Sequence, residues 1–306
     1  MELKVPLYQV DAFTKQAFKG NPAAVCLLGD TVLPLDDSIR QAIAAEMNLS
    51  ETAFLEVIQE EGQGMTFSTS RRFKLRWFTP TVEMPLCGHA TLASAAALIE
   101  GEGNKAGQLF FETASGTLSV TQLGAADDGR PMLQMALPLA DPVDPVPQSC
   151  LAGSALMQVL LGGQQPADVC FSQRLKYLLV VLPEGSTKED LLALQPDPRG
   201  LLEAASTDDV TGVIVSLPGG SGDGSGQYDV LSRFFAPWSG IDEDAVTGSA
   251  HSLLAPYWGA RLNKTSLTAR QCSSRGGELI MQVDAANQRV LVGGTAVIVT
   301  AGKLYL

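Results

Sequence analysis

The distribution of apolar and polar residues in the first half of the chain predicts several strands and one amphipathic helix. Apolar or alternating runs indicate strands over residues 8–13, 23–28, 51–58, 65–68 and 74–78. Between the second and third of these strands, three apolar residues recur at helical spacing: Ile39, Ile43 and Met47. Asp36 or Asp37 can cap this helix, and Asn48 can end it.

The second half of the chain repeats this mixed pattern, so we expect α/β structure throughout. Strands are predicted over residues 132–137, 176–182, 212–216 and 228–235, with a helix over 151–161. In the first half, segment 90–99 is small or apolar on every face, which predicts a helix buried on every face. The turn-rich segment 125–131 predicts a link between two domains, at residues 1–126 and 127–291.

Two distant segments of the chain resemble each other. Leu-Arg-Trp-Phe-Thr-Pro at 75–80 leads to Cys87-Gly88-His89-Ala90, and Ser-Arg-Phe-Phe-Ala-Pro at 232–237 leads through a longer loop to Thr247-Gly248-Ser249-Ala250. A strand, a proline turn and a glycine-started helix are common in α/β proteins, so the match is either a coincidence or a duplication. The shared Arg-aromatic-Phe-x-Pro sequence favours a duplication.

A duplicated fold predicts equivalent loops that face one cleft across a pseudo-twofold axis. The amides that follow Gly88 and Gly248 would then be unpaired donors at the positive ends of two helix dipoles. Such a pair of helix starts would hold a carboxylate.

The charge and cysteine content of the chain limit its partners and its compartment. A formal net charge of −12 without a Lys/Arg stripe disfavours nucleic acid and anionic membrane surfaces. The start of the chain has no apolar targeting core and segment 90–99 is too short to span a bilayer, so we expect a cytoplasmic protein. Five widely spaced cysteines without a CxxC pair predict reduced, mostly buried thiols. Neither GxGxxG nor a P-loop lysine motif indicates a nucleotide cofactor.

Both histidines of the chain lie in the repeated glycine motifs. His89, beside the expected anion site, is either catalytic or structural, whereas His251 lies further into its helix and is interpreted as structural. No third ligand occurs at a recognisable spacing, so the sequence predicts no metal site.

Three further residues are candidates for acid/base or thiol chemistry. Glu51 opens an apolar strand face and is either an exposed strand-end carboxylate or a partly desolvated one, whose favoured protonated form would suit a proton shuttle. Asp244 lies in an acidic loop that is either solvated or orients helix amides or a substrate group. Cys87 would feel a helix dipole, which lowers a thiol pKa, while Thr247 stands at the equivalent position of the second motif.

The same segments resemble the PhzF-like phenazine-biosynthesis family. The resemblance rests on these motifs: Gly20-Asn21-Pro22-Ala23, Asn48-Leu49-Ser50-Glu51-Thr52, Arg76-Trp77-Phe78-Thr79-Pro80, Cys87-Gly88-His89-Ala90-Thr91 and Glu243-Asp244-Ala245-Val246-Thr247-Gly248-Ser249-Ala250. It covers most of the chain and points more narrowly to the family's animal members. It implies a diaminopimelate-epimerase-like fold of two pseudo-symmetric α/β (mixed α+β) domains, each a curved sheet around a central helix. It also implies that residues 292–306 return to the first domain.

The resemblance implies a cofactor-independent isomerase. In the family's phenazine enzymes a glutamate moves a proton between carbons of a cyclic dihydro-hydroxyanthranilate and gives an amino-ketone isomer. By motif, Glu51 is similar to that general acid/base, with His89 and Asp244 as the other catalytic residues. The implied substrate-binding residues are Cys87, Gly88, Thr247, Gly248 and Ser249. The expected substrate is a small carboxylate-bearing metabolite.

Two other functions stay open at this point. Related epimerases and racemases use two opposed cysteines, so Cys87 with a second group such as Asp244 is one alternative. The other is a non-catalytic binding or scaffold protein, because animal members of the family are implied to have a WD-repeat protein partner. The family also tends to form homodimers. The joint presence of Glu51, His89 and Asp244 favours an enzyme over a scaffold.

Overall fold

The computed structural model describes residues 4–29, 35–59, 64–142, 144–220 and 227–306. The strands are β1 (Lys4–Ala12), β2 (Asn21–Leu28), β3 (Glu51–Val57), β4 (Arg72–Phe78), β5 (Glu83–Met84), β6 (Gln108–Thr113), β7 (Gly116–Ala125), β8 (Pro131–Pro138), β9 (Asp168–Ser172), β10 (Tyr177–Val181), β11 (Gly212–Pro218), β12 (Val230–Phe235), β13 (Ser266–Gln271), β14 (Gly277–Asp284), β15 (Arg289–Gly294) and β16 (Ala296–Tyr305). The α-helices are α1 (Asp37–Met47), α2 (Gly88–Ala96), α3 (Ala155–Leu161), α4 (Lys188–Ala193), α5 (Pro198–Ala204) and α6 (Gly248–Leu262). Among these residues, none of the helices has the length and apolar character needed to cross a bilayer.

The chain forms two compact units. One contains the described residues up to Ala136 together with Gly293–Leu306, and the other contains Leu137–Val292. The first unit is therefore built from two separate stretches of chain, whereas the second is continuous.

The first unit is a mostly antiparallel sheet packed against a buried helix. Its strand order is β16-β1-β2-β3-β4-β6-β7-β8, with β5 paired to β4. Helix α2 contacts β1, β2, β3 and β16, and all of its residues except Gly88 are buried. The helix has almost no polar face to present to water, so its small side chains pack against the sheet as the segment 90–99 predicts. A π-helical turn, Ala97–Gly101, continues it.

The second unit follows the same plan with a different strand order. Its strands run β15-β14-β13-β12-β11-β10-β9, and α6 contacts β10, β13 and β14. Helices α3, α4 and α5 add an outer apolar cluster that includes Leu156, Leu191 and Leu201. Each unit thus surrounds one helix that begins at the glycine of a repeated motif.

Most local predictions are confirmed, and one predicted strand is wrong. Helix α1 begins after Asp36, whose side chain accepts the Ile39 amide, and ends at Asn48 in the left-handed region at φ 49°. Residues 65–68 do not form a strand, because the backbone turns at 67–69. The Thr66 amide donates to the hydroxyl of Thr69 at 3.0 Å, and this local side-chain bond competes with strand pairing.

The repeated sequence motif has a structural counterpart in each unit. On β4, Arg76 makes a two-pronged contact with Glu83, with both N···O distances at 2.7 Å. On β12, Arg233 does the same with Glu243, at 2.7 and 2.9 Å. Each guanidinium also lies over the phenylalanine two residues further on, at 5.1 Å in the first unit and 4.8 Å in the second. These matching contacts support a duplication rather than a coincidence.

Candidate active site

Glu51 is the first residue of β3 and is buried. Strand β3 runs parallel to β2, with Glu51 beside Ala23, so its carboxylate is held at the start of an interior strand. The side chain is 7% exposed. The interpretation of Glu51 as an exposed strand-end carboxylate is therefore wrong.

His89 lies directly against Glu51. It is the second residue of α2, and its Nε2 atom is 3.0 Å from Oε2 of Glu51. The distance allows strong attraction, but the N–H direction is not that of a hydrogen bond. Among the described residues, neither of these two buried atoms has a hydrogen-bond partner. The two atoms therefore face each other as a buried ion pair without the alignment of a hydrogen bond.

Asn21 holds the other side of the His89 ring. Its Nδ2 atom is 3.1 Å from His89 Nδ1, and the Ser50 hydroxyl donates to its Oδ1 atom at 3.2 Å. The Asn21 amide therefore holds the Nδ1 edge of the ring, and Nε2 faces Glu51. Gly20 makes the turn directly before Asn21. Its φ is +66°, and the space beside its Cα leaves no room for a side chain.

The neighbouring charges change the proton affinities of this cluster. Burial alone would lower the pKa of His89, but the Cys87 and Glu51 charges raise it well above its ordinary value. Burial and the Glu51 charge in turn raise the pKa of the Cys87 thiol. The predicted lowering of the Cys87 pKa by the helix dipole is wrong, because burial outweighs the dipole.

The same cluster brings together three types of metal-ligating atom. A thiol sulfur of Cys87, a ring nitrogen of His89 and a carboxylate oxygen of Glu51 all lie within 4.8 Å of one another. The sequence predicts no metal site, because Cys87 and His89 have no third ligand at a recognisable spacing along the chain. The fold supplies that third donor from β3.

The second unit assembles its own polar cluster around Asp244 and Thr247. The Thr247 hydroxyl donates to Asp244 Oδ2, and its amide donates to Gln271 Oε1 at 2.8 Å. Gln271 Nε2 returns a bond to the Asp244 carbonyl at 2.8 Å. Asp244 is 8% exposed, so the interpretation as a solvated loop acid is wrong for this residue. The amide of Thr247 is bound by Gln271 rather than by Asp244.

Both repeated helices begin without a side-chain cap. Cys87 precedes α2 and Thr247 precedes α6, each in extended conformation and neither with a side chain bonded to the first-turn amides. Gly248 begins α6, and the Ser249 hydroxyl lies 3.2 Å from that of Tyr177. These helix starts keep the positive ends of the dipoles available to an anion.

His251 is a structural residue, as its position further into the helix predicts. It is fully buried, and its Nδ1 atom donates to the Thr247 carbonyl at 2.7 Å. Burial lowers its pKa to about 4, so it is neutral near neutral pH.

The structure thus places the predicted residues in two clusters, one within each unit. The first contains Glu51, Cys87, Gly88 and His89; the second contains Asp244, Thr247, Gly248 and Ser249. Sequence reasoning missed two polar residues that organise these clusters. Asn21 lies in the Gly20-Asn21-Pro22-Ala23 motif, but the motif alone assigns it no role. Gln271 lies at the end of β13, where no local pattern distinguishes it.

The comparisons with known proteins agree with these motifs. A family profile described as phenazine biosynthesis-like protein matches residues 10–302. The chain belongs to this family. The mouse phenazine biosynthesis-like domain-containing protein 1 is 43% identical over 99% of both chains. An uncharacterised isomerase of Pseudomonas aeruginosa is 40% identical over 99% of this chain and all of its own.

Solved structures show which fold this chain adopts. A PhzF-family protein from Enterococcus faecalis superposes with a TM-score of 0.78 at 37% identity, over 99% of this chain and all of its own. A hydroxyproline epimerase from Agrobacterium vitis has a TM-score of 0.56 at 11% identity, over 99% and 93% of the two chains, which shows the fold alone. The predicted epimerase-like fold class is confirmed. The family and its named isomerases make this protein an isomerase.

Proposed function

We propose that this protein is a cofactor-independent proton-transfer isomerase that acts on a small carboxylate-bearing metabolite. Glu51 is the general acid/base of the proposal. As a carboxylate it removes a proton from one carbon of the substrate, and as a carboxylic acid it returns a proton to another carbon. The reaction is balanced within substrate and enzyme, so it requires no oxidant, reductant or co-substrate.

The observation that carries this proposal is the placement of Glu51 Oε2, which is buried beside His89 without an aligned hydrogen bond. This oxygen is buried and has no hydrogen-bond partner among the described residues, although His89 Nε2 is 3.0 Å away. A carboxylate used only for stability would be expected to be fully paired, because an unsatisfied buried polar atom costs about 1–3 kcal/mol. An oxygen that must reach a substrate proton is the exception.

His89 supports the acid/base role of Glu51. The imidazole ring faces the Glu51 carboxylate at 3.0 Å and stabilises its anionic form. Asn21 fixes the ring, since its amide lies 3.1 Å from Nδ1. In this proposal His89 positions and stabilises the Glu51 carboxylate.

The substrate carboxylate has matching donors in the repeated motifs. Taken unit by unit, the uncapped first turn of α2 and that of α6 each offer backbone amides at a positive dipole end, which suits an anion in a protein of net charge −12. In the proposal, Gly88, Gly248 and Ser249 bind the anion and Asp244 orients a polar substrate group. Asp244 is suited to this because Thr247 and Gln271 fix its loop.

The test is solvent-deuterium exchange into small carboxylates. Purified protein is incubated in D₂O with dihydro-hydroxyanthranilate, methylitaconate or trans-4-hydroxy-L-proline as probes, and carbon-bound deuterium is followed by NMR. We expect exchange or isomerisation of at least one probe, and its loss in Glu51→Gln by about 100-fold or more. Glu112→Gln, an exposed carboxylate paired with Arg72, is the matched control and should retain activity. Full activity in Glu51→Gln would remove Glu51 from the mechanism.

A cysteine-assisted epimerase is the second candidate, and the contact between Cys87 and His89 favours it. Cys87 Sγ lies 3.6 Å from His89 Nδ1, close enough for the ring to take the thiol proton. The raised pKa of Cys87 and the threonine at position 247 argue against two opposed thiolates. Deuterium entry at a stereocentre that Cys87→Ser abolishes and Glu51→Gln spares would select this candidate.

A further inference from the structure

We propose that a cavity in the second unit binds a small organic cation, a primary amine or a guanidine with an apolar body. The cavity has a volume of about 370 Å³, and ligand pockets in proteins commonly measure about 300–1,000 Å³. Its described lining residues all belong to the second unit, and it shares none of them with the Glu51 cluster or the Asp244 cluster. The proposal is therefore independent of the proposed isomerase activity.

The cavity lies at the carboxyl ends of two parallel strands. Strand β10 pairs in parallel with β11, and the last residue of each, Val181 and Pro218, lines the cavity. This end of parallel strands is where α/β sheets bind ligands. The last two turns of α6 also line it, through Tyr257, Trp258 and Arg261. The cavity is thus built from regular elements of the unit rather than from a single loop.

The walls of the cavity supply apolar contact for the body of a ligand. Val181, Leu182, Leu217 and Trp258 line it, and each of these side chains is largely buried. The Trp258 indole is held in place, because its Nε1 atom donates to the Ser216 hydroxyl at 2.9 Å. A small aromatic or hydrocarbon group that packs against these side chains leaves water, which stabilises the complex.

The charged groups of the cavity determine which ligand it suits. Two carboxylates, Asp168 and Glu184, and one guanidinium, Arg261, line it. Asp168 is paired with Arg261, whereas Glu184 has no ion-pair partner among the described residues. Arg261 also lies in the last turn of α6, where the helix dipole is negative. One negative charge is left over, and it favours a cation.

The cavity already holds a cation that belongs to the chain itself. The Arg261 guanidinium lies 3.6 Å from the centre of the Tyr257 ring and contacts the Asp168 carboxylate. The Tyr257 hydroxyl donates to the same carboxylate at 2.8 Å. An aromatic face beside a carboxylate attracts positive charge. A ligand carboxylate, in contrast, would gain Arg261 but would be repelled by both Asp168 and Glu184.

Fluorine NMR with three related probes tests the site. The chain has three tryptophans, Trp77, Trp238 and Trp258, of which Trp258 belongs to the described lining. Full-length protein labelled with 5-fluorotryptophan is titrated with 2-phenylethylamine, phenylalanine and 3-phenylpropionate, which carry the same ring but differ in charge. We expect the amine to shift the Trp258 signal, which Trp258→Phe identifies, with half-saturation at about 1 mM or below. The zwitterion and the anion should bind at least about 5-fold more weakly.

Two substitutions should change the affinity for the amine in opposite directions. Glu184→Gln removes the unpaired carboxylate and should weaken binding by about 2- to 5-fold. Arg261→Gln removes the competing cation and frees the Asp168 carboxylate, so it should strengthen binding by a similar factor. Glu203→Gln changes an exposed carboxylate of the same unit outside the described lining, so it is the matched control and should leave the affinity unchanged.

Three results would each overturn the proposal. The first is a Trp258 signal that the amine does not move at about 10 mM. The second is phenylalanine or 3-phenylpropionate binding as tightly as the amine, and the third is an unchanged affinity in Glu184→Gln. Thermal unfolding identifies a variant that fails to fold, and if Arg261→Gln does, the exposed Glu184→Gln variant decides. No turnover is measured, so failure of this site leaves the proposed isomerase standing, and an inactive isomerase leaves this site standing.

Discussion

Asn21 and His89 are joined through a single amide. The Nδ2 atom of Asn21 is 3.1 Å from Nδ1 of His89, and the Ser50 hydroxyl donates to the opposite end of the same amide at 3.2 Å. All three residues belong to motifs at the starts of β2, β3 and α2. The histidine is therefore oriented by residues that lie far from it in the sequence.

This relationship predicts non-additive effects of substitutions at Asn21 and Ser50. Asn21→Ala leaves a buried ring nitrogen without its partner and should lower the free energy of unfolding by about 1–3 kcal/mol. Ser50→Ala should cost about 1 kcal/mol, because it loses one hydrogen bond at a half-buried site. The double variant should cost at least about 0.5 kcal/mol less than the sum, since both substitutions act through one amide. Urea unfolding of the four proteins measures this difference, and strict additivity would contradict it.

A comparison of two glycines separates steric contact from backbone conformation. Gly20 has φ at +66°, and a Cβ atom there would lie 2.1 Å from the Ala12 carbonyl oxygen. Gly103 has a similar φ of +71° with no atom within 4 Å of that position. Gly103→Ala should cost about 1–2 kcal/mol of stability for the left-handed conformation alone. Gly20→Ala should cost about 1–3 kcal/mol more, because the backbone that carries Asn21 must move. Equal thermal shifts of the two variants would refute the steric argument.

The two repeated arginines should differ in their contribution to stability. The side chain of Arg233 is 7% exposed and also donates to the Leu191 and Leu194 carbonyls, at 3.0 and 2.6 Å. Arg76 makes the same kind of glutamate contact with a side chain 33% exposed. Arg233→Lys should lower the free energy of unfolding by about 3 kcal/mol or more, because lysine cannot make the two-pronged contact and leaves buried groups unpaired. Arg76→Lys should cost under about 1 kcal/mol. Similar urea midpoints for the two variants would show that burial does not set the difference.

The lowered pKa of His251 predicts that the protein loses stability in mild acid. Its pKa is lowered to about 4 in the folded protein, while an unfolded histidine has its ordinary value of about 6.5. As the pH falls below 6.5 the unfolded chain binds a proton that the folded chain does not, so stability is lost through the window down to about pH 4. The full effect is about 3 kcal/mol. His251→Gln can still donate to the Thr247 carbonyl and lacks this titration. The stability difference between wild type and His251→Gln should therefore shrink from pH 7 to pH 4.5, and parallel curves would contradict the assignment.

The sequence was sufficient to predict those features that depend on neighbours close along the chain. The cap of Asp36, the end of α1 at Asn48 and the fully buried α2 all follow from short-range pattern, and the structure confirms them. Glu51 and His89 were found because each lies in a compact motif.

The errors have a common physical cause, which is that burial cannot be read from a short window. The Cys87 thiol was expected to be acidic from the helix dipole alone, but the apolar surroundings that raise its pKa come from other elements of the fold. Gln271 was missed for the same reason. Its amide binds Thr247 and Asp244 only because β13 passes beside their loop, and nothing in its own segment indicates this.

The pairing of β16 with β1 sets an order for the completion of the two units. Nine residues of β1, Lys4–Ala12, are matched by residues 296–305 from the far end of the described chain. During synthesis the continuous second unit can therefore close while β1 still presents an open strand edge. Such an edge pairs readily with other chains. We infer that the nascent first unit is the aggregation-prone stage of this protein's biogenesis, and that it ends only when the last strand has been made.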